Sequence, residues 1–260
     1  MNAYEFDGVK YRKASVHQKE WGTKLITELD LDGNEHILDL GCGDGSLTEI
    51  LAQAVPDGRV VGIDASQGMI DVAEELSSDN LSFYFMDIND LPYAAAFDLI
   101  FSNATLHWVK DHEKLLDNCY RALKPEGVIR FNFAGDGNCS NFYEIVKDVM
   151  GLEQYSQYFS DFNWPWYMPS VDEYQAVVED SSFTGVDVWG ENADRYFPNA
   201  SAMTGWINQP SIVPFLKCVY PYDRESFRTE VINRMLDTTK QEDNTYFETF
   251  RRINVHAKKE

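Results

Sequence analysis

A chain of 260 residues with 44% hydrophobic and 14% aromatic content has the apolar surface for one sizeable core, or a core and a small second one, which excludes a disordered chain. Its formal net charge of −21, from 43 acidic against 22 basic residues, repels phosphate backbones and anionic membrane surfaces and argues against nucleic-acid and membrane partners. No apolar run reaches the roughly 18 residues of a membrane span, the first residues lack the apolar stretch of a secretory leader, and Cys42, Cys119, Cys139 and Cys218 form no CxxC pair, so a cytoplasmic chain with reduced thiols and no metal site is expected.

The first half alternates two hydrophobic periods. "EHILDL" reads as a strand and "SLTEILAQAV" as a helix, with Leu47, Ile50, Leu51 and Val55 at helical spacing. "GRVVGID" is a second strand, and "SQGMIDVAEELSS" a second helix with Ser66 at the N-cap position. "LSFYFMDI" and "AFDLIFSNA" are the third and fourth strands, followed by the helix "HEKLLDNCYRAL", the turn "KPEG" and the strand "VIRFNFA". Strict alternation with short loops predicts right-handed crossovers and a parallel sheet, with ligands bound beyond the carboxyl ends of the strands.

After the fifth strand the pattern changes. "CSNFYEIVKDVMGLEQYSQYF" reads as helix, "FNWPWYMPS" as an aromatic, proline-broken loop, "VDEYQAVVEDSSF" as helix and "GVDVWGENADRYF" as a strand or ribbon. "ASAMTGWINQPSIVPFL" and "DRESFRTEVINRMLDTT" are helical, and "YFETFRRINVHAKK" makes a final strand. The extra helices are candidates for a lid over the strand ends. The expected organisation is a ligand-binding core over 1–137, a substrate-binding insertion with one returning strand over 138–240, and a strand over 241–260 that completes the sheet.

The turn "LDLGCGDGSLT" after the first strand decides the ligand. Gly41, Gly43 and Gly45 form GxGxG, and Ser46 stands where a dinucleotide fingerprint has its third glycine. Asp44 puts negative charge where a pyrophosphate would approach, and no Gly-Lys-Ser/Thr follows, which excludes a P-loop. S-adenosylmethionine (SAM) has no phosphate, but it has an ammonium, a sulfonium and a ribose diol, and so tolerates acidic neighbours. Asp64 at the end of the second strand suits the ribose hydroxyls, Asp87 after the third the adenine amino group, and Met69 the adenine face. Asp64 alone does not separate SAM from NAD, and an NAD-dependent oxidoreductase would share this beginning.

Taken together, "ILDLGCGDGSLT", "VVGIDASQGMI", "FMDI", "FDLIFSNATLHW" and "LKPEGVI" resemble the class I SAM-dependent methyltransferases over roughly residues 15 to 135. "YRKASVHQ" and "NATLHWV" resemble the small-molecule carboxyl methyltransferases within them, the trans-aconitate and juvenile hormone acid enzymes. The resemblance implies an α/β fold with a doubly wound, mostly parallel Rossmann-like sheet and a helical lid inserted in the C-terminal half. It implies that Gly41 and Gly43 admit the methionine part of SAM, that Asp39 holds the loop and the ammonium, and that the backbone at Asn103 supports the methionine end. Asp64 with Ala65 would take the ribose, and Met69, Asp87 and Ile88 the adenine. Gln18 and Trp108 would orient a substrate carboxylate with His107 as polar support, while Ser15 and, on the cofactor side, Tyr11 lie one and two helical turns before Gln18 on roughly its face.

Methyl transfer to a carboxylate needs neither base nor metal, because the oxygen is already nucleophilic at neutral pH; a dry, lidded site favours it as charge is neutralised. For the acceptor, Arg195, Arg224, Arg228 and Arg234 would suit a tricarboxylate, and Phe159, Phe162, Trp164, Trp166, Tyr167 and Trp206 a lipophilic acid. The aromatics are more numerous, pointing to a mostly apolar small molecule with one polar acceptor. Nitrogen and carbon acceptors stay open, as does a SAM-binding protein without catalysis.

Overall fold

The computed structural model describes residues 16–260; Tyr11 and Ser15, singled out above, lie outside them. In chain order the elements are α1 (Val16–Thr27), β1 (His36–Leu40), α2 (Ser46–Ala54), β2 (Arg59–Asp64), α3 (Gln67–Ala73), β3 (Leu81–Phe85), β4 (Phe97–Asn103), α4 (His112–Ala122), β5 (Leu123–Ala134) and α5 (Ser140–Met150). There follow α6 (Val171–Glu179), β6 (Thr184–Asn192), β7 (Arg195–Phe197), α7 (Ala200–Trp206), α8 (Val213–Cys218), α9 (Arg224–Thr239), β8 (Tyr246–Glu248) and β9 (Arg251–Lys258). They divide into two units, one running to Asp136 and including Trp166–Glu191 and Arg252–Glu260, the other made of Gly137–Pro165 and Asn192–Arg251.

The first unit is built on a seven-stranded sheet in the order β3-β2-β1-β4-β5-β9-β6. β1 to β5 pair in parallel, and β9 runs antiparallel to β5. Period-two alternation sends successive side chains to opposite faces. Leu38, Leu40 and Ile100 therefore join Leu115, Leu116 and Cys119 of α4 in one core, while Ile37, Leu99 and Phe101 join Leu51 and Ala52 of α2 in another. Helices on both faces of a mostly parallel sheet make the doubly wound α/β class, as expected from the alternation. The "KPEG" segment lies within β5; Glu126 there takes a left-handed conformation (φ 67°), and the pairing with β4 shifts register between Phe97 and Leu99.

The second unit holds α5, α7, α8, α9 and the antiparallel ribbon β7–β8. The long helical stretches read from sequence are interrupted here. The first ends at Met150, and a π-helical turn over Ile207–Ser211 separates α7 from α8. The last strand of the sequence reading is two, split after Glu248, where Thr249 and Phe250 turn their N–H groups to the Glu248 and Asp194 carboxylates. Aromatic edge-to-face contacts fill the unit's core, with Phe142 meeting Trp206 at 5.9 Å and Phe215 at 6.0 Å, and Tyr155 meeting Phe227 at 5.2 Å. Among the described residues no helix is long and apolar enough to cross a membrane.

Candidate active site

The parallel strands bring the carboxyl ends of β1, β2, β3 and β4 to one edge, and the turn after β1 lies across it. The N–H groups of Gly41 and Cys42 both donate to the Ile63 carbonyl of β2, at 2.8 and 2.9 Å. Gly41, Gly43 and Gly45 all adopt positive φ (73°, 54° and 78°), which only glycine takes without strain. At Gly41 close packing is a second reason: a Cβ there would sit 2.1 Å from Thr105 Cγ2, so the turn is drawn tight against the segment after β4.

Three acidic side chains organise this edge. Asp39 is buried and accepts a 2.7 Å bond from the Thr48 hydroxyl of α2. Burial lifts its carboxyl to about 7, against the pull of that hydroxyl, and the charge of Asp64 adds to the rise. Asp64 ties two loops together, one oxygen accepting from the Gly43 N–H at 3.0 Å and the other from the Ser66 N–H at 2.9 Å. Asp87 caps the short turn Ile88–Asp90, taking both the backbone N–H and the side-chain amide of Asn89 at 2.9 Å. Met69 is buried, Ala65 half-buried, and the Ile88 side chain belongs to the core, so the backbone of Ile88 is what this residue turns toward the edge. Asp44 departs from its sequence reading: it is buried and ion-paired with Lys19 of α1 at 2.9 Å, a structural charge in place of one facing a ligand.

Beyond β4 the chain turns through Ala104, left-handed at φ 58°, whose N–H donates to the Asn132 carbonyl of β5 at 2.7 Å. The following turn carries His107 and Trp108. The Trp108 ring meets His107 at 5.6 Å and Trp166 at 5.3 Å, and the Tyr167 N–H donates to the His107 carbonyl at 2.8 Å. His107 Nδ1 is buried with no hydrogen-bond partner. Burial, with the charges of Arg252 and His112 behind it, holds His107 down to about 3, so the ring is neutral at physiological pH. His112 is a packing histidine: its Nε2 donates to the Leu106 carbonyl at 3.1 Å, which leaves Nδ1 to accept from the Tyr174 hydroxyl at 2.8 Å.

Gln18 lies in the first turn of α1, a helix pinned down from one end to the other. Lys19 pairs with Asp44, Lys24 with Glu191 at 2.7 Å, and Glu28, just past the helix, with buried Arg130 at 2.8 Å. A Cβ at Gly22 would lie 2.1 Å from Leu47 and 3.0 Å from the amide nitrogen of Asn103, so the helix passes close to the end of β4. Beside it runs a polar row that the sequence reading missed. Arg252 is buried and places Nε and Nη2 on Asn132 Oδ1 at 2.8 and 2.6 Å, with its guanidinium over the Trp21 ring at 4.8 Å. Asn132 donates to Asn254, which also accepts from Arg130. The signal was present in "RFNF" and "RINV", two apolar strands that each carry Arg and Asn two residues apart.

In the second unit the acceptor candidates are engaged locally. Arg224 donates to the Val219 carbonyl at 3.0 Å, Arg228 pairs with Glu225, and Arg234 pairs with Glu230 at 2.7 Å. Trp206 packs against Phe142, Phe197 and Phe250, and Trp164 against Tyr143, Phe162 and Phe215, so these aromatics build that unit's own core. Trp166 and Tyr167 belong to the first unit, against Trp108 and His112.

The edge fits SAM on its own chemistry. Asp64 braces the turn while keeping lone pairs for a diol, positive-φ glycines shape a close backbone approach, and an acidic rim suits a ligand with two cationic centres. Comparison with known proteins agrees. Residues 38–131 match a family described as a methyltransferase domain. An uncharacterized methyltransferase of Schizosaccharomyces pombe is 30% identical over 248 residues, 91% of each chain. Trans-aconitate 2-methyltransferases of Shigella dysenteriae and Delftia acidovorans are each 28% identical, over 84% and 82% of this chain and the same shares of their own. Among solved structures, the Haemonchus contortus phosphoethanolamine N-methyltransferase 2 in complex with SAM superposes at TM-score 0.61 with 18% identity, over 97% of this chain and 56% of that one. The YcgJ protein of Bacillus subtilis does so at 0.61 with 19% identity, over 94% and 99%.

Proposed function

The chain belongs to the class I SAM-dependent methyltransferases, and on that footing we propose that it methylates a carboxylate oxygen of a small acid, with the acceptor held after β4. The observation that carries this reading is His107. Its ring stays neutral down to about pH 3, too weak a base to deprotonate an alcohol or phenol, and His112 beside it, held down to about 4, is committed on both nitrogens. An acceptor at this place must therefore bring a nucleophile that is ready at neutral pH. A carboxylate does so; an unprotonated amine is the second reading, in keeping with the N-methylating structural relative.

When bound, SAM supplies an electrophilic methyl group on a sulfonium. In this reading Asp64 and Ala65 hold the ribose, Asp87, Met69 and the Ile88 backbone the adenine, and the Gly41–Gly43 turn with Asp39 and Asn103 the methionine end. Gln18 and the Trp108 indole N–H orient the acceptor carboxylate, and His107 Nδ1 faces it as polar support. The engaged arginines of α9 favour a mostly apolar acid, while the relatives' names make trans-aconitate the first polar acid to try.

Replacing Gln18 and Trp108 separately by alanine is expected to leave SAM affinity within about threefold and to cut turnover by roughly a hundredfold or more, the scale of losing an orienting contact. Titration calorimetry and a methyl-transfer assay on an acid panel make the check; normal turnover in both variants would overturn the assignment.

Asp39 adds a pH signature. Below about pH 7 its carboxyl is protonated in the free protein, whereas an ammonium beside it favours the ionised form. Binding then expels a proton, so SAM affinity should fall by up to about tenfold per unit as pH drops below 7 and level off above it. Calorimetry from about pH 5.5 to 8.5 reads the slope. Asp39→Asn should flatten it, and a flat wild-type profile would exclude the contact.

A further inference from the structure

We propose that Asn89 is a positioning residue that sets the base preference of the donor site: it takes up one oxygen of Asp87 and so reserves the other as an acceptor for the 6-amino group of a purine. The inference rests on the adenine placement above and adds the residue that enforces it.

Three observations converge. First, the two oxygens of Asp87 are not equivalent. Oδ1 accepts both the backbone N–H and the side-chain amide of Asn89, each at 2.9 Å, while Oδ2 takes no hydrogen bond among the described residues. Two donors on one oxygen oppose any exchange of the two in this half-buried carboxylate. Second, the Asn89 side chain has no other partner among the described residues. Its own Oδ1 is buried without one, and turning the amide over would set that oxygen against Asp87 Oδ1. An orphaned buried acceptor is a cost, kept here for the bond at the other end of the amide. Third, the turn carrying Asn89 is held from α4. Asn118, buried on that helix, donates to the Asn89 carbonyl at 2.9 Å, and its own Oδ1 accepts from Arg121 at 2.9 Å. The same Arg121 nitrogen donates to the Leu91 carbonyl at 2.8 Å. The Ile88 and Leu91 side chains are buried in the core that α4 shares, so the turn is fixed through both its backbone and its side chains.

Selection follows from the donor and acceptor pattern. A 6-amino purine brings a donor to Asp87 Oδ2. A 6-oxo purine brings a second acceptor, and a carboxylate oxygen facing a carbonyl oxygen has no proton to share. Asn89 also gives the preference a direction that can be reversed. In Asp87→Asn the two Asn89 donors still claim the side-chain oxygen, so the NH2 faces the base, where it opposes an amino group and suits an oxo group. Removing the Asn89 amide should therefore weaken adenine binding in the wild type and improve it in Asp87→Asn. A merely structural role for Asn89 gives a loss in both.

The test is calorimetry with S-adenosylhomocysteine and its 6-oxo (inosine) counterpart on the wild type, Asn89→Ala, Asp87→Asn and the double variant. Expected is a wild-type preference for the amino base of about thirtyfold or more, reduced about fivefold in Asn89→Ala and lost or reversed in Asp87→Asn. Adding Asn89→Ala to Asp87→Asn should then tighten S-adenosylhomocysteine by about threefold or more, because the freed amide can turn its oxygen to the base. A loss in both backgrounds, or no effect in either, would overturn the proposal. Asn118→Ala, which loosens the turn from α4, stands in should Asn89→Ala fail to fold. It should lower the amino preference about threefold, and an unchanged preference would likewise overturn the proposal. A wild type that binds the two bases equally, or an Asp87→Asn that binds both as the wild type does, would instead overturn the placing of adenine at Asp87, and the role of Asn89 with it.

Discussion

Asp64→Ala is expected to weaken SAM binding by roughly a hundredfold, about 3 kcal/mol, and to abolish turnover at ordinary SAM concentrations. Two losses add. The carboxylate holds the Gly43 N–H and the Ser66 N–H, so its removal releases the glycine turn from the start of α3. It is also the acceptor proposed for the ribose hydroxyls, and a charged acceptor contributes about 1.5–3 kcal/mol. Asp64→Asn should fall between, because its amide keeps one acceptor and sets an NH2 against one of the two N–H groups. Calorimetry with S-adenosylhomocysteine and its 2′-deoxy analogue separates the two losses. If Asp64 holds the ribose, the missing hydroxyl should cost affinity in the wild type and little in Asp64→Ala, the signature of coupled partners. Equal costs in both proteins would leave Asp64 a loop brace only, and near-normal binding by the variant would remove it from the site altogether.

The edge of strand ends was legible because it is local. Each of its residues sits within a few positions of a strand end, and strand alternation fixes where those ends gather. Legibility failed where a side chain's fate depends on a distant partner. Asp44 reads as a ligand-facing charge only while Lys19, a helix away in sequence, is out of view. The arginines of α9 look available for a tricarboxylate until Glu225 and Glu230, three and four residues off, take two of them. Trp206 and Trp164 look like pocket lining, yet their edge-to-face partners come from α5 and α8. The Arg252–Asn132 clamp joins residues 120 apart, and only the antiparallel return of β9 brings them together. The fold class needed the two hydrophobic periods; the acceptor side needed the pairing of strands that the periods do not specify.

The second unit rests on one acid in a comparable way. Glu248 is fully buried at the end of β8, where it accepts from the Asn141 N–H at 3.2 Å, the Asn141 side-chain amide at 3.1 Å and the Phe142 N–H at 2.9 Å, in the first turn of α5, and from the Thr249 N–H at 2.8 Å. Cys139, at the N-cap in a left-handed conformation, gives no side-chain cap, so Glu248 takes that place from across the unit. Burial raises its carboxyl, and the backbone donors pull the other way, so the charge is held at some cost for the sake of those bonds. Glu248→Ala leaves the buried Phe142 N–H and the half-buried Asn141 and Thr249 N–H groups without this acceptor, at about 1–3 kcal/mol for the buried one and less for each of the others, a large share of the margin of a small folded unit. The second unit should then melt well before the first, seen as a split or broadened calorimetric transition and as early proteolysis within residues 137–165 and 192–251. Glu248→Gln, which retains one acceptor oxygen, should recover roughly half of the loss. SAM affinity offers the contrast: every donor residue proposed above lies in the first unit, so Glu248→Ala should bind SAM near normally below its first transition. A single unshifted transition would show that the α5 cap is dispensable, and loss of SAM binding in the still-folded variant would place part of the donor site in the second unit.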